Sequence, residues 1–148
     1  MSLPPFIETG DLPYGIHRAT LREILDHFGT GSPRRRVNAL RLERIYRLAA
    51  ATGYMKRFVV FGSFVTTKPE PNDIDVFMLM EDTFDVDQLT GESRLLFDHV
   101  VAQTYFGSSI FWLRCLAALQ GEEVAIEQWQ IKRDGTERGI VEIIQEPL

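Results

Sequence analysis

The chain has 148 residues, of which 45% are hydrophobic and 25% are charged. These proportions are those of a globular protein and exclude wholesale disorder. The formal net charge of -5 excludes a generally basic surface for nucleic acid, although a local basic patch stays open. The length suits one folded unit, so we expect a single domain over residues 1–148.

Cysteine usage and hydropathy bear on the compartment. Cys115 is the single cysteine, so one chain has neither a disulfide framework nor a cysteine-built zinc site. No apolar run approaches the ~20 residues of a membrane span, and the first residues lack the basic region and apolar core of a secretory signal. These features predict a soluble, cytoplasmic protein that does not enter a membrane.

The N-terminal third of the chain predicts an arm and a first helix. Residues 1–19 are rich in proline and glycine, which indicates an extended N-terminal arm. Thr20 and Glu23 have the spacing of a capping box. A helix is therefore expected from about Leu21 to Phe28, where Gly29 would end it.

A second N-terminal helix is expected from Pro33 to about Ala51, with Ser32 as its N-cap and Gly53 as its stop. Its pattern is amphipathic, and the apolar side comprises Leu42, Ile45, Tyr46, Leu48 and Ala49. The opposite side carries Arg36, Arg44 and Arg47. A solvated basic face is the default interpretation, and a binding surface for phosphates or an acidic partner is the alternative.

Two apolar strands are predicted in the middle of the chain. The first is 57–61, and Gly62 with Ser63 bounds it. The loop 66–72 contains two prolines, and the second strand covers 73–80 (DIDVFMLM). Both faces of the second strand are apolar past Asp75, which is typical of a central strand covered on two sides.

The rest of the chain predicts further elements of a sheet. Residues 82–97 are polar with a weakly helical stretch, 98–106 has the composition of a third strand, and a helix is expected from Ser108 or Ser109 to Gln120. The segments 129–133 and 139–144 predict a final hairpin. The element order predicts an α+β fold: a mixed β-sheet with helices packed against it, preceded by two helices.

The segment from Gly62 to Asp75 carries the chemistry. Asp73 and Asp75 are two residues apart on a strand, so both carboxylates point to one face, roughly 6–7 Å apart along the chain. Like charges at this spacing raise each other's pKa, and a cation between them removes that cost. Mg²⁺ is commonly held by one or two carboxylates together with substrate phosphates.

A phosphate cradle is predicted beside this pair. Gly62 lets the backbone approach a ligand closely, and free N–H groups with the Ser63 hydroxyl suit phosphate oxygens. Lys68 adds a positive charge. A bare Asp-x-Asp is often a pair of surface carboxylates and a bare Gly-Ser is often only a turn, so the order and spacing of the two carry the prediction.

This arrangement resembles the nucleotidyltransferase superfamily that includes DNA polymerase beta and the minimal nucleotidyltransferases of bacteria. The fuller pattern is similar to a family of small, mostly uncharacterised bacterial proteins assigned to that superfamily. The matching segments span most of the chain: 13–17 (PYGIH), 19–21 with Glu23, 62–66 (GSFVT), Lys68, 71–75 (PNDID) and 138–141 (RGIV).

The resemblance implies a reaction. Metal ions, Mg²⁺ or Mn²⁺, align a nucleoside triphosphate, an acceptor hydroxyl attacks the α-phosphate in line, and pyrophosphate leaves. Gly62 and Ser63 would hold the β- and γ-phosphates, with Lys68 beside them, and Asp73 and Asp75 would ligate the metals. The acceptor is a protein side chain, an RNA end or a small molecule.

A complete site in this superfamily has a third carboxylate on a later strand. Asp98, at the start of the expected third strand, is the candidate for this metal-binding and catalytic position, and Glu127 is a weaker alternative. His99 is interpreted as a satisfied polar group. Capping a loop or a strand start is the structural alternative for Asp98.

Other conspicuous residues are interpreted as structural. Cys115 is expected to be a buried small hydrophobe, and Trp112 and Trp129 to be core or rim aromatics. His17 is expected to pin the N-terminal arm through a hydrogen bond. Three scattered histidines give no zinc pattern.

The functional prediction is a metal-dependent nucleotidyltransferase. Two alternatives stay open: a non-catalytic member that binds a partner protein in the manner of an antitoxin, and a nucleotide sensor that keeps the metal ligands without turnover. An intact third carboxylate favours the enzyme over both.

Overall fold

The structure, a computed structural model, describes residues 3–145. Within that range five strands form one sheet: β1 (Gly15–Thr20), β2 (Met55–Phe61), β3 (Ile74–Met80), β4 (Ser108–Arg114) and β5 (Gly139–Ile144). Their spatial order is β1-β5-β2-β3-β4. The β1/β5 and β3/β4 pairs are parallel, whereas β2 is antiparallel to both β5 and β3. The predicted mixed sheet and α+β class are confirmed.

The helices of the described residues are α1 (Leu21–Phe28), α2 (Pro33–Ala51), α3 (Glu92–Leu95), α4 (His99–Phe106) and α5 (Glu122–Glu127). Both N-terminal helices were predicted with these bounds, and their caps are present. The Thr20 hydroxyl accepts from the Glu23 N–H, and the Glu23 carboxylate accepts from the Thr20 N–H. Ser32 accepts the N–H of Arg35 in the same way.

The sheet has two covered faces, because β2 and β3 bury alternate residues on each side. One face forms the larger core with α1, α2 and α4, through residues such as Phe58, Val60, Val76 and Met78. The other face includes Phe61 and Phe77 and packs under α5 and the turn 128–130. The predicted central position of β3 is confirmed, because it lies between β2 and β4. The start of β3 lies beside the end of β2, where Phe61 pairs with Asp75.

The predicted extended arm over 1–19 is wrong at its C-terminal end. Residues 15–20 form β1, which pairs in parallel with β5, for example Ile16 with Ile140. The partner strand lies more than 100 residues away, so local composition carries no signal of this pairing. The segment before β1 is irregular, and its Leu12 is completely buried.

The predicted strand 98–106 and the predicted helix 108–120 are exchanged in type. Residues 99–106 form α4, because the Asp98 side chain accepts the Val101 N–H as an N-cap and Gly107 ends the helix with φ +64°. These are ordinary helix signals that a β-branched, aromatic composition outweighed in the prediction. Residues 108–114 form β4, which gains backbone partners along the whole of β3.

The predicted C-terminal hairpin is half wrong. Gly139–Ile144 is a strand, but it pairs with β1 and β2. Within 129–138 the ladder is reduced to one bridge between Ile131 and Glu137. This irregular segment carries Lys132, Arg133 and Arg138 past the edge of the sheet where β2 ends.

Candidate functional site

Gly62 and Asp75 are in direct contact at the junction of β2 and β3. Phe61, the last residue of β2, pairs with Asp75, so the next residue passes over the carboxylate. Gly62 has φ +81°, and a Cβ placed there would lie 2.0 Å from Asp75 Oδ2. Both the backbone conformation and the contact therefore require glycine. The structure thus brings Gly62 of the Gly-Ser turn against Asp75 of the carboxylate pair.

Asp75 is the second residue of β3 and Asp73 directly precedes that strand, close enough for its charge to act on Asp75. Burial, together with the charge on Asp73, raises the pKa of Asp75 to about 6, and Arg138 and Arg133 oppose this shift. The Ser109 hydroxyl donates to Asp73 Oδ2 at 3.4 Å. The site thus contains two carboxylates that repel each other and one neutral hydroxyl.

Ser63 begins a single 3₁₀ turn over 63–65, and its carbonyl accepts from the N–H and the hydroxyl of Thr66. The turn borders a cleft of about 320 Å³. Three cationic side chains line this cleft, and we call it the phosphate cleft; its lining comprises Thr9, Asp11, Gly62, Ser63, Thr66, Thr67, Lys68, Lys132 and Arg138. The predicted site residues Gly62, Ser63 and Lys68 are therefore brought together.

The first turns of α2 hold the loop that follows the Gly-Ser turn. The buried Arg35 guanidinium donates to the backbone carbonyls of Phe64, Thr66 and Lys68. Burial lowers the pKa of Arg35. Asn38 donates to the Pro71 carbonyl at 2.9 Å. The loop 66–71, which has no regular structure of its own, is therefore held by side chains of α2.

Asp98 lies apart from this site. Its carboxylate caps α4 and lines a separate cavity with residues such as Arg94 and Val101. The carbonyl of the preceding residue, Phe97, accepts a hydrogen bond from the indole N–H of Trp112 in β4. Trp112 pairs with Met78 of β3. Neither Asp73 nor Asp75 lines the cavity that Asp98 borders. The prediction that Asp98 opens a strand beside the pair is wrong, because the strand next to β3 begins only at Ser108.

On the strand beside β3 the position next to Asp75 is Ser109. The residue of β4 beside the carboxylate pair is therefore a hydroxyl and not a carboxylate. Glu127, the weaker alternative, is exposed at the end of α5.

The remaining interpretations concern structural residues. His17 Nε2 lies 2.7 Å from the Pro13 carbonyl and pins the arm, as predicted. His99 Nδ1 bonds the Ile110 carbonyl, so it is a satisfied polar group. Cys115 is free and half-buried, and burial raises the pKa of its thiol. Trp129 stacks on Phe61 with 4.7 Å between ring centroids.

The basic side of α2 is exposed but largely neutralised. Arg47 pairs with Glu43 at 2.8 Å, and Arg44 pairs with Glu92. Arg44 also lies over the ring of Tyr105. These contacts favour the default interpretation of a solvated face over a surface for an acidic partner.

Sequence reasoning missed four residues of the site: Arg35, Asp11, Lys132 and Arg138. Arg35 lies on the buried side of α2, within an otherwise exposed basic run. Its helical spacing from Asn38 and Leu42 could have indicated that it faces the core. Lys132 and Arg138 reach the cleft through the irregular segment before β5, which no local pattern predicts.

The donor set fits a metal ion that is bound together with a phosphate ligand. Asp73 and Asp75 supply hard oxygen ligands, and burial followed by the charge on Asp73 raises the pKa of Asp75, a cost that a bound cation would offset. Among the described residues no group of three or more His, Cys, Asp or Glu side chains could hold a metal. The pair therefore suits Mg²⁺ or Mn²⁺ that keeps water or phosphate as its other ligands.

The α+β fold, with a glycine turn against paired carboxylates, therefore presents a candidate site for a metal ion and a phosphate ligand. Comparison with known proteins places the chain more narrowly. The model of the family of unknown function DUF6932 matches residues 4–144, and the chain belongs to that family. No curated protein and no solved structure matches it. Over the described residues, every helix is too short or too polar to cross a membrane.

Proposed function

We propose that the chain binds a nucleoside triphosphate with Mg²⁺ or Mn²⁺ in the phosphate cleft and transfers the nucleotidyl group to an acceptor hydroxyl. The observation that carries the proposal is the contact between Gly62 and Asp75, which puts the turn and the carboxylate pair in one place. The cationic lining supports the choice of a phosphate ligand.

Each part of the site has a task in this proposal. Asp73 and Asp75 hold the metal, which supplies a Lewis acid at the phosphate oxygens when it is bound. Backbone N–H groups of the turn and the Ser63 hydroxyl donate hydrogen bonds to the phosphate oxygens. Arg35 does not contact the ligand in this scheme but keeps the loop carrying Lys68 in position.

The proposed reaction balances without a redox step. The acceptor oxygen forms a bond to the α-phosphorus, the bond from that phosphorus to the bridging oxygen breaks, and pyrophosphate leaves. The proton of the acceptor hydroxyl passes to solvent or to a carboxylate. The acceptor class stays as predicted: a protein side chain, an RNA end or a small molecule. A cytoplasmic setting suits the free thiol of Cys115.

A second candidate, a nucleotide sensor without turnover, is favoured by one observation. Asp98, the expected third carboxylate, caps α4, and the residue of β4 beside Asp75 is Ser109. A sensor shares the binding step with the transferase and lacks the transfer. A partner-binding role without nucleotide is the remaining alternative.

Turnover separates the two candidates. The purified chain is incubated with Mg²⁺ and each nucleoside triphosphate, with RNA and with a protein extract as acceptors, and released pyrophosphate is measured. Pyrophosphate release that Asp73→Asn abolishes supports the transferase. Binding of nucleotide without any release supports the sensor, and absence of both contradicts the proposal.

A further inference from the structure

The cationic wall of the phosphate cleft includes Lys132, whose position is set by the N-terminal segment. Its ammonium lies 2.8 Å from Asp11 Oδ2, and the Asp11 side chain is 7% exposed against 32% for Lys132. The Thr9 hydroxyl donates to the same oxygen at 2.8 Å. The buried Asp11 carboxylate, which accepts hydrogen bonds from both Thr9 and Lys132, therefore fixes the end of the long Lys132 side chain at the rim of the cleft.

The segment that carries Asp11 is itself tied to both sides of the cleft. The Thr67 N–H donates to the Gly10 carbonyl, and the Gly139 N–H donates to the Leu12 carbonyl, each at 3.0 Å. A Cβ at Gly10 would lie 2.3 Å from Thr67 Oγ1, so the two chain segments are in contact. Asp11 is thus a fixed point relative to the turn and to β5.

Arg138 completes this wall with free donors. Its Nε donates to the Trp129 carbonyl at 2.9 Å, and its guanidinium lies over the Phe61 ring, 5.0 Å from the centroid. Within residues 3–145 no hydrogen bond involves its terminal nitrogens. Three cations and one carboxylate line the cleft, and Asp75 acts on Arg138 from beside it. With a metal ion on the carboxylate pair, the balance of the cleft is positive and suits a chain of phosphates more than a single one.

We propose that Asp11 is a positioning residue, which holds Lys132 for the terminal phosphate of a nucleoside triphosphate, and that the cleft thereby selects polyphosphate over monophosphate. This inference rests on the proposed function and goes beyond it by assigning Lys132, Arg138 and Asp11. Charge-assisted hydrogen bonds from fixed donors are the strong class for phosphate oxygens.

The first experiment compares Lys132→Met with Lys56→Met by calorimetric titration against Mg²⁺-ATP, Mg²⁺-tripolyphosphate and AMP. Lys56 is the matched control, because its ammonium pairs with Glu122 at the same 2.8 Å outside the cleft. We expect Lys132→Met to weaken ATP and tripolyphosphate roughly tenfold, to leave AMP unchanged, and Lys56→Met to change none of them.

The second experiment uses the sign of a charge effect. Removing a negative charge from an anion-binding cleft tightens anion binding by Coulomb attraction alone. A positioning role predicts the opposite, so Asp11→Asn should weaken ATP, whereas Glu122→Gln should have no effect. In the Lys132→Met background Asp11→Asn should no longer weaken ATP, because it acts through Lys132. Melting curves establish that each variant is folded.

The outcomes separate this inference from the proposed function. If the wild type binds neither ATP nor tripolyphosphate, both fall. If the wild type binds ATP but Lys132→Met weakens ATP and AMP equally, or neither, only the present inference falls. Tighter ATP binding by Asp11→Asn in the wild-type background would also overturn it.

Discussion

At the scale of single residues, the contact between Gly62 and Asp75 determines what the site tolerates. The carboxylate occupies the space that any other side chain at position 62 would need. Burial of Asp75, followed by the charge on Asp73, raises its pKa. The required glycine and the perturbed acid therefore meet at one contact.

We expect Gly62→Ala to be much more damaging than Gly53→Ala. Both glycines have a positive φ, +81° and +79°, but a Cβ at Gly53 meets nothing within 4 Å. Gly53→Ala therefore measures the cost of a positive φ alone, about 1–2 kcal/mol, whereas Gly62 also has ψ −163°, a region essentially confined to glycine. Urea denaturation should show a larger loss for Gly62→Ala, and part of the excess should vanish in an Asp75→Ala background. Equal losses at the two positions would contradict the contact.

The raised pKa of Asp75 predicts a pH-dependent stability. The folded chain keeps a proton up to about pH 6, while the unfolded chain releases it near the ordinary value of 3.8. In the absence of metal, stability attributable to Asp75 therefore falls as the pH rises from about 4 to 6 and is constant above.

Asp75→Asn should remove this effect. Without metal and at pH 8, we expect the free energy of unfolding of the variant to exceed that of the wild type by up to about 3 kcal/mol. The difference should shrink towards pH 4. Thermal and urea denaturation across this range measure it, and Glu70→Gln, in the exposed loop, is the charge control. A pH-independent difference would show that Asp75 is ionised normally in the folded chain.

At the scale of elements, α2 acts as a support for the loop of the site. Arg35 donates to three loop carbonyls, and Asn38 donates to a fourth. Secondary structure does not fix this loop, so the fixed position of Lys68 depends on these side-chain bonds.

Arg35→Met should loosen this loop and cost roughly 3 kcal/mol of unfolding free energy, because buried carbonyls lose their donor. Hydrogen exchange should accelerate at Thr66 and Thr67, whose N–H groups bond Ser63 and Gly10. The neighbouring Arg36 is exposed, and Arg36→Met should change neither quantity. Unchanged exchange in Arg35→Met would mean that the loop is fixed by other contacts.

Asp98 belongs to this scale as well, because its visible task is to cap α4. Asp98→Ala should cost about 1 kcal/mol of stability, whereas Asp98→Asn should cost little, since asparagine is an equally good N-cap. Neither variant should alter nucleotide binding or turnover. Loss of turnover in both variants, with stability retained in Asp98→Asn, would restore Asp98 as the third carboxylate.

The elements differ in how far the sequence predicts them. α1, α2, β2 and β3 follow from local caps and periodicity, which are determined within each segment. β1 and β4 do not follow from local signals, because β1 pairs with β5 and β4 pairs with β3. Their backbone groups find hydrogen-bond partners only in the assembled sheet. α4 was predictable from Asp98 and Gly107, but β-branched composition was given more weight than the caps.

At the scale of the whole molecule, the sheet brings together parts of the site that are far apart in the sequence. The carboxylate pair and the Gly-Ser turn were predictable because they lie on consecutive, locally patterned strands. Lys132, Arg138 and Asp11 were not, since they reach the cleft only when β5 inserts between β1 and β2. The same topology, which pairs β4 with β3, shows that the residue beside Asp75 is Ser109 and not a carboxylate.

The central claim is that the Gly62–Asp75 contact forms a metal-dependent nucleotide site, and calorimetric titration with ATP tests it most directly. The wild type is titrated with and without Mg²⁺, and Asp75→Asn is titrated beside it. We expect saturable binding by the wild type only when Mg²⁺ is present, and none by Asp75→Asn, although that variant is folded. Equal binding by both proteins, or no binding by the wild type with Mg²⁺ present, would contradict the account.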